Sequence, residues 1–125
     1  MLAQQFMSYK NWVVVGDVAN SEKYAFKIFN ALKSKGYNVK GINPRKGSEE
    51  VLTDLNLVEY DVDVIDLCIN PKEGIKILEV AKKLNIKKVL IQPGAESLEI
   101  LEYCKNNDII AIEGCALVQL SNMGV

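Results

Sequence analysis

The chain has 125 residues, 49% hydrophobic and 25% charged, the make-up of one ordinary globular domain able to bury a core. A formal net charge of −1 gives no general attraction to nucleic acid or anionic membrane, and no apolar run approaches the roughly 18 residues of a membrane span. Histidine is absent, which excludes a Ser-His-Asp triad, a His-bearing metal site and a phosphohistidine intermediate.

Residues 1–12 lack the basic start and small-residue cleavage site of a signal peptide. Residues 12–15 form the first expected strand, and residues 24–35 a helix whose Ala25, Ile28, Phe29 and Leu32 recur at the 3.6-residue period. Gly36 suits the position just past that helix, and residues 39–42 start the second strand. Residues 45–61 are the least regular and hold either one short helix near residues 51–57 or a mobile flap. A third strand at 62–69 leads into a helix at 72–84 with Ile77, Leu78, Ala81 and Leu84 as its buried stripe. The fourth strand is 88–91; a helix at 95–106, with Leu98, Leu101 and Cys104 inward, leads to the fifth at 109–112. Residues 117–125 are expected as a short helix or a loose end.

Strands alternating with helices of this length build right-handed βαβ units around a parallel sheet covered on both faces. The expectation is therefore a single α/β domain with a doubly wound, five-stranded parallel sheet. The order 3-2-1-4-5 is preferred over the flavodoxin-like 2-1-3-4-5. Cys68, Cys104 and Cys115 are odd in number and unpatterned in spacing, so they read as reduced thiols of a cytoplasmic protein, with Cys68 and Cys104 facing the core and inert.

All three prolines follow an amide residue at the end of an apolar run: Asn43-Pro44, Asn70-Pro71 and Gln92-Pro93. Proline has no N–H and holds the preceding residue extended, so an amide side chain is expected at the carboxyl end of three strands. Ligands of open parallel sheets bind outside those ends. Uncharged hydrogen-bonding groups there suit a nucleoside better than acid–base chemistry.

The turn after the first strand runs Gly16, Asp17, Val18, Ala19, Asn20, Ser21, Glu22, Lys23, Tyr24, and only Gly16 fits the G-x-G-x-x-G dinucleotide fingerprint. Ser21 or Asn20 is expected to cap the helix, whose free N–H groups form a positive end suited to phosphate. Lys23 and Lys27 in the first turns oppose the macrodipole by a few tenths of a kcal/mol up to about 1 kcal/mol, a cost that a bound pyrophosphate reverses. The other reading leaves them as solvated surface residues. After the second strand come Asn43, Pro44, Arg45 and Lys46, with no acid for a ribose 2′-hydroxyl. Two cations match a phosphorylated ribose instead, either the 3′-phosphoadenosine of coenzyme A or the 2′-phosphoadenosine of NADP.

Trp12 to Gly16, the loop ending Glu22-Lys23-Tyr24, Gly36-Tyr37 followed by Asn43-Pro44, Asn70-Pro71 and Gln92-Pro93-Gly94 together resemble the small stand-alone CoA-binding proteins. Those proteins share a Rossmann-like fold with the first domain of the succinyl-CoA synthetase α-subunit. The resemblance extends from about Trp12 to Cys115 and implies coenzyme A as the cofactor. It places the CoA phosphates on the loop from Gly16 to Tyr24, including Asp17, Val18, Asn20 and Lys23. It puts the adenosine end at Asn43, Pro44, Arg45 and Lys46, with Asn70 and Pro71 beside the adenine or ribose, and Gln92 and Gly94 near the pantetheine. Cys115, ending the fifth strand, is a candidate thiol opposite the CoA sulfhydryl or a small partly buried residue. Asp17 and Glu113 are the carboxylates expected near the cleft.

No catalytic residue and no metal ligand is assigned. The function expected is a module that binds CoA or acyl-CoA, without catalysis of its own, for an unidentified protein partner. The alternatives are an NADP-dependent reductase and a CoA-binding subunit of a ligase assembled in trans.

Overall fold

The computed structural model describes residues 2–123. In chain order it contains a short helix α1 (Ala3–Phe6), strand β1 (Asn11–Val15), α2 (Tyr24–Ser34), β2 (Asn38–Ile42) and β3 (Val51–Leu52), then a 3-10 turn at Leu55–Leu57. Then come β4 (Val64–Leu67), α3 (Pro71–Lys83), β5 (Lys88–Ile91), α4 (Leu98–Asn106), β6 (Ile110–Glu113) and α5 (Ala116–Asn122). The described strands form one sheet of six, every pair parallel, in the order β3-β2-β1-β4-β5-β6.

The expected order 3-2-1-4-5 thus recurs in the numbering, with one strand more than the five expected. Third place, however, belongs to the two-residue β3 from the irregular stretch 45–61. The strand expected there lies on the other side of β1, Trp12 opposite Val64 and Val15 opposite Leu67. Burial explains the exchange. All four residues of β4 are buried and need a neighbour on each side, whereas the half-buried, two-residue β3 suits an edge. The five longer strands alone run in the flavodoxin-like order.

Period-two alternation sends Val13, Val15, Ile65, Leu67, Val89 and Ile91 to one face of the sheet, under the apolar stripes of α3 and α4. Trp12, Val14, Val64 and Leu90 go to the other, under α2 and α5. Asp66 shares that second face, because it stands in register with Val14. The stripe of α2 is Ala25, Ile28 and Leu32. Gly36 follows it at φ +87°, and Tyr37 N–H donates to Leu32 O at 3.0 Å, as a glycine-closed helix end requires.

One helix boundary and one added helix differ from expectation. The helix expected at 95–106 begins at Leu98, because Ser97 Oγ accepts from Ile100 N–H at 3.1 Å and caps it there. Leu98 is consequently exposed, and Ile100 and Cys104, one turn apart, are the buried positions. Residues 1–12 carry α1, anchored by buried Phe6 and by the Tyr37 hydroxyl, which donates to Met7 O at 2.6 Å. The segment 117–125 takes the helical alternative in α5; its last two residues lie outside the described ones.

Candidate ligand-binding cleft

The chain leaves β1 for β2 on one side and returns to β4 on the other. This opens a crevice at the carboxyl ends of the strands where connections diverge. A hollow of about 540 Å³ lies there, bordered by Gly16, Lys23, Asn43, Asn70, Glu73 and Gln92. A second hollow of about 310 Å³ continues toward β2 and β3, bordered by Asn20, Lys46 and Ser48. Asp17 and Asn43 border both.

The loop after β1 is held by backbone geometry and by apolar contact. A Cβ on Gly16 would stand 2.9 Å from Cys68 O and 3.1 Å from Ala25 Cβ, so the close approach of β1, β4 and α2 requires glycine. Gly16 N–H donates to Ile42 O at 2.9 Å and Val18 N–H to Gly16 O at 3.0 Å. Val18 then turns inward and is buried over Gly41. Asn20 Oδ1 accepts from Glu22 N–H at 3.0 Å, within the loop.

Neither Ser21 nor Asn20 caps α2. The capping position falls on Lys23, whose side chain accepts no hydrogen bond. The start of α2 therefore has no side-chain acceptor on its first N–H groups, and its residues Tyr24 and Ala25 border the larger hollow together with Lys23. Tyr24, 65% exposed, lies at the same mouth with Lys27 Nζ 5.4 Å from its ring centre.

The three amides at the strand ends are oriented by the backbone. Asn43 Oδ1 accepts from Arg45 N–H at 3.0 Å, and Asn70 Oδ1 from Glu73 N–H at 3.1 Å. The Oε1 of buried Gln92 accepts from Ala116 N–H at 2.9 Å. With each carbonyl oxygen used, the NH2 group is the free end of each side chain, and none has a protein acceptor among the described residues. The expected neutral rim is in fact a rim of donors. It suits phosphate and carbonyl oxygens.

The cations expected to act together diverge. Lys46 borders the smaller hollow, while Arg45 turns into the larger one, where its Nε donates to Glu73 Oε1 at 3.0 Å. The partner oxygen Glu73 Oε2 is buried without a hydrogen-bond partner. Gly94 N–H donates to Glu96 Oε2 at 2.7 Å, closing the turn after β5.

Behind the cleft, Cys68 packs against the core as expected but is only half-buried, and it also borders the larger hollow. Its Sγ lies 3.2 Å from Oδ2 of the fully buried Asp66, whose Oδ1 has no partner. Burial pushes the Asp66 carboxyl up to about 7, the Cys68 bond offsetting part of the rise. Burial first, then the charge of Asp66, pushes the Cys68 thiol well above the usual thiol range, with Cys115 adding to the effect. Cys68 is thus no ready nucleophile.

Of the sequence-derived site residues, Gly16, Asp17, Lys23, Tyr24, Asn43, Arg45, Asn70, Gln92 and Gly94 meet at the larger hollow, and Asn20 and Lys46 at the smaller. Val18, Pro44, Pro71 and Cys115 border neither: Val18 is core, Pro71 is the first residue of α3, and Cys115 is the residue before α5. Glu113 is exposed and borders neither hollow; the acids at the larger hollow are the expected Asp17 and, in addition, Glu73. Its signal was in the sequence, since a carboxylate three residues after Asn70 is a helix-start pattern that places it at the cleft. Among the described residues no group of three or more Cys, Asp or Glu side chains is placed to hold a metal ion.

A family model described as a CoA binding domain matches residues 10–121. A solved conserved hypothetical protein from Pyrococcus furiosus is 31% identical, with TM-score 0.81 over 89% of this chain and 99% of its own. An uncharacterized protein of known structure is 28% identical, with TM-score 0.80 over 93% of this chain and 98% of its own. A hypothetical protein from Pyrococcus horikoshii shares the fold at 21% identity, with TM-score 0.87 over 97% of this chain and 92% of its own. Among curated proteins the chain has no match.

Proposed function

The chain belongs to the CoA-binding domain family, and on that premise we propose that it binds coenzyme A as a module with no turnover of its own. In this reading the pyrophosphate sits at the start of α2 beside Lys23. The 3′-phosphorylated ribose points to Lys46 in the smaller hollow, and the pantetheine arm runs past Asn70 and Gln92. The strongest support is the lining of the larger hollow: three amide NH2 groups with no protein acceptor, an uncapped helix start and a lysine, all offering donors to an acceptor-rich ligand. Its volume of about 540 Å³ falls inside the range of about 300–1,000 Å³ usual for small-molecule sites.

Support for a module over an enzyme comes from the side chains available. The chain has no histidine, Arg45 already holds Glu73, and Asp66, bonded only to Cys68, is buried behind a thiol raised far from reactivity. Isothermal titration with coenzyme A, dephospho-CoA, NAD and NADP tests the assignment. Coenzyme A is expected to bind tightest, with dephospho-CoA weaker for want of the 3′-phosphate. Equal affinity for those two removes the role given to Lys46, and tighter NADP binding overturns the ligand. Hydrolysis or transfer of an acyl group from acyl-CoA by the isolated chain, lost in Cys115→Ser, overturns the absence of catalysis.

A further inference from the structure

We infer that Glu73 is a built-in competitor for the anion seat on Arg45, so that a ligand phosphoryl group settles in the larger hollow by drawing Arg45 away from a carboxylate of the protein itself. The inference takes only the kind of anion from the coenzyme A reading; the competition stands on geometry. Arg45 follows β2 and Glu73 lies in the first turn of α3, and their side chains meet across the hollow that both border. It is the one ion pair among the described residues.

The contact is a single bond, Nε to Oε1 at 3.0 Å, and not the paired fork that a guanidinium can offer. Glu73 Oε2 is left buried and unsatisfied, so the carboxylate is poorly served where it stands. A phosphoryl group presents several oxygens and can take the fork bidentately, giving Arg45 a better partner than Glu73 does.

Which side moves follows from exposure. Glu73 is 24% exposed, with its backbone N–H bonded to Asn70 and its charge favoured by the start of α3. Arg45 is 69% exposed on a turn. The guanidinium therefore swings to the ligand while the carboxylate stays. Glu73 thereby discriminates against weakly charged ligands, because only an anion strong enough to exchange the partner of Arg45 gains that contact.

Titration of the wild type, Glu73→Gln and the double variant Glu73→Gln/Arg45→Ala with coenzyme A and with inorganic pyrophosphate tests this, with Glu73→Ala as a second probe of the same position. Both single variants at Glu73 are expected to bind both anions about threefold more tightly, in line with a single-bonded pair that is exposed on the arginine side. The gain is expected to vanish in the double variant. Unchanged or weaker binding in both Glu73 variants overturns the inference, as does a gain that survives loss of Arg45. If pyrophosphate shows the gain while coenzyme A binds none of the proteins, the competition stands and the coenzyme A reading falls; if neither anion binds, both fall.

Discussion

Asp66 and Cys68 stand two residues apart on the same face of the sheet, the thiol donating to Oδ2 at 3.2 Å and the other carboxylate oxygen left with no partner. A fully buried carboxyl served by one weak donor is stable only when it keeps its proton, which is why burial pushes Asp66 up to about 7. The protein carries this acid one position behind the wall of its ligand cleft.

The pH dependence of stability follows in sign. The folded value, about 7, exceeds the ordinary 3.8, so between those values the native state holds a proton that the unfolded chain has released. The contribution of Asp66 is fully present below the lower value and is lost as pH rises through the upper one, at up to about 1.4 kcal/mol per pH unit. Urea unfolding of the wild type and Asp66→Asn at pH 5 and pH 7 is expected to show the wild type losing about 2 kcal/mol more than the variant over that interval. Parallel profiles would mean that Asp66 is solvated or paired in solution.

At Asn70 the two jobs of one side chain can be separated. Its oxygen caps α3, and its NH2 group faces the cleft. Asn70→Asp keeps an acceptor at the helix start and is expected to leave thermal stability within about 0.5 kcal/mol of the wild type, yet to weaken coenzyme A binding by replacing a donor with a charge that repels phosphate. Asn70→Ala is expected to lose about 1 kcal/mol of stability as well. Retained affinity in Asn70→Asp would take the amide out of the site.

Lys23 holds the capping position of α2 without capping it. Removing a cation from a helix start relieves the dipole, so Lys23→Ala is expected to leave the apo melting temperature equal or slightly higher. Coenzyme A is expected to bind more weakly by roughly 1.5–3 kcal/mol, the worth of a charge-assisted bond. Calorimetry and a thermal melt on the same preparation decide between this and a structural lysine, for which the melt alone would drop.

The thiols offer a test independent of any ligand. Burial pushes Cys104 up to about 11 and holds Cys68 higher than ordinary thiols. Iodoacetamide at pH 8 is expected to modify both far more slowly in the folded protein than in urea, with mass spectrometry assigning the sites. Rapid labelling of Cys68 in the native state would show that the cleft wall opens to water.

Hydrophobic periodicity made the helices and longer strands legible, because a stripe such as Ile77, Leu78 and Ala81 has one way to face a sheet. Strand placement was less so: β3 has two residues and no pattern of its own, and it forms because β2 offers it an edge. The helix α1 is likewise tertiary, with buried Phe6 and a bond from Tyr37 holding four residues that propensity alone would leave frayed. Within the site, prolines and glycines marked where strands end, so most cleft residues were found. Which end of an amide points outward, and that Arg45 reaches α3 while Lys46 does not, depend on contacts between segments far apart in the chain.

The seat of the first loop depends on a fit that carries no charge at all. A single Cβ added to Gly41 would come within 2.5 Å of Val18 Cγ2, and Val18 is what pins the loop bearing Asp17, Asn20 and Lys23 onto the sheet. Cleft width is therefore inherited from a methyl group and a hydrogen atom that no ligand need touch. Descendants of this chain have a route to altered affinity through neutral-looking drift at positions 18 and 41, and a comparison of relatives confined to polar residues would miss the change.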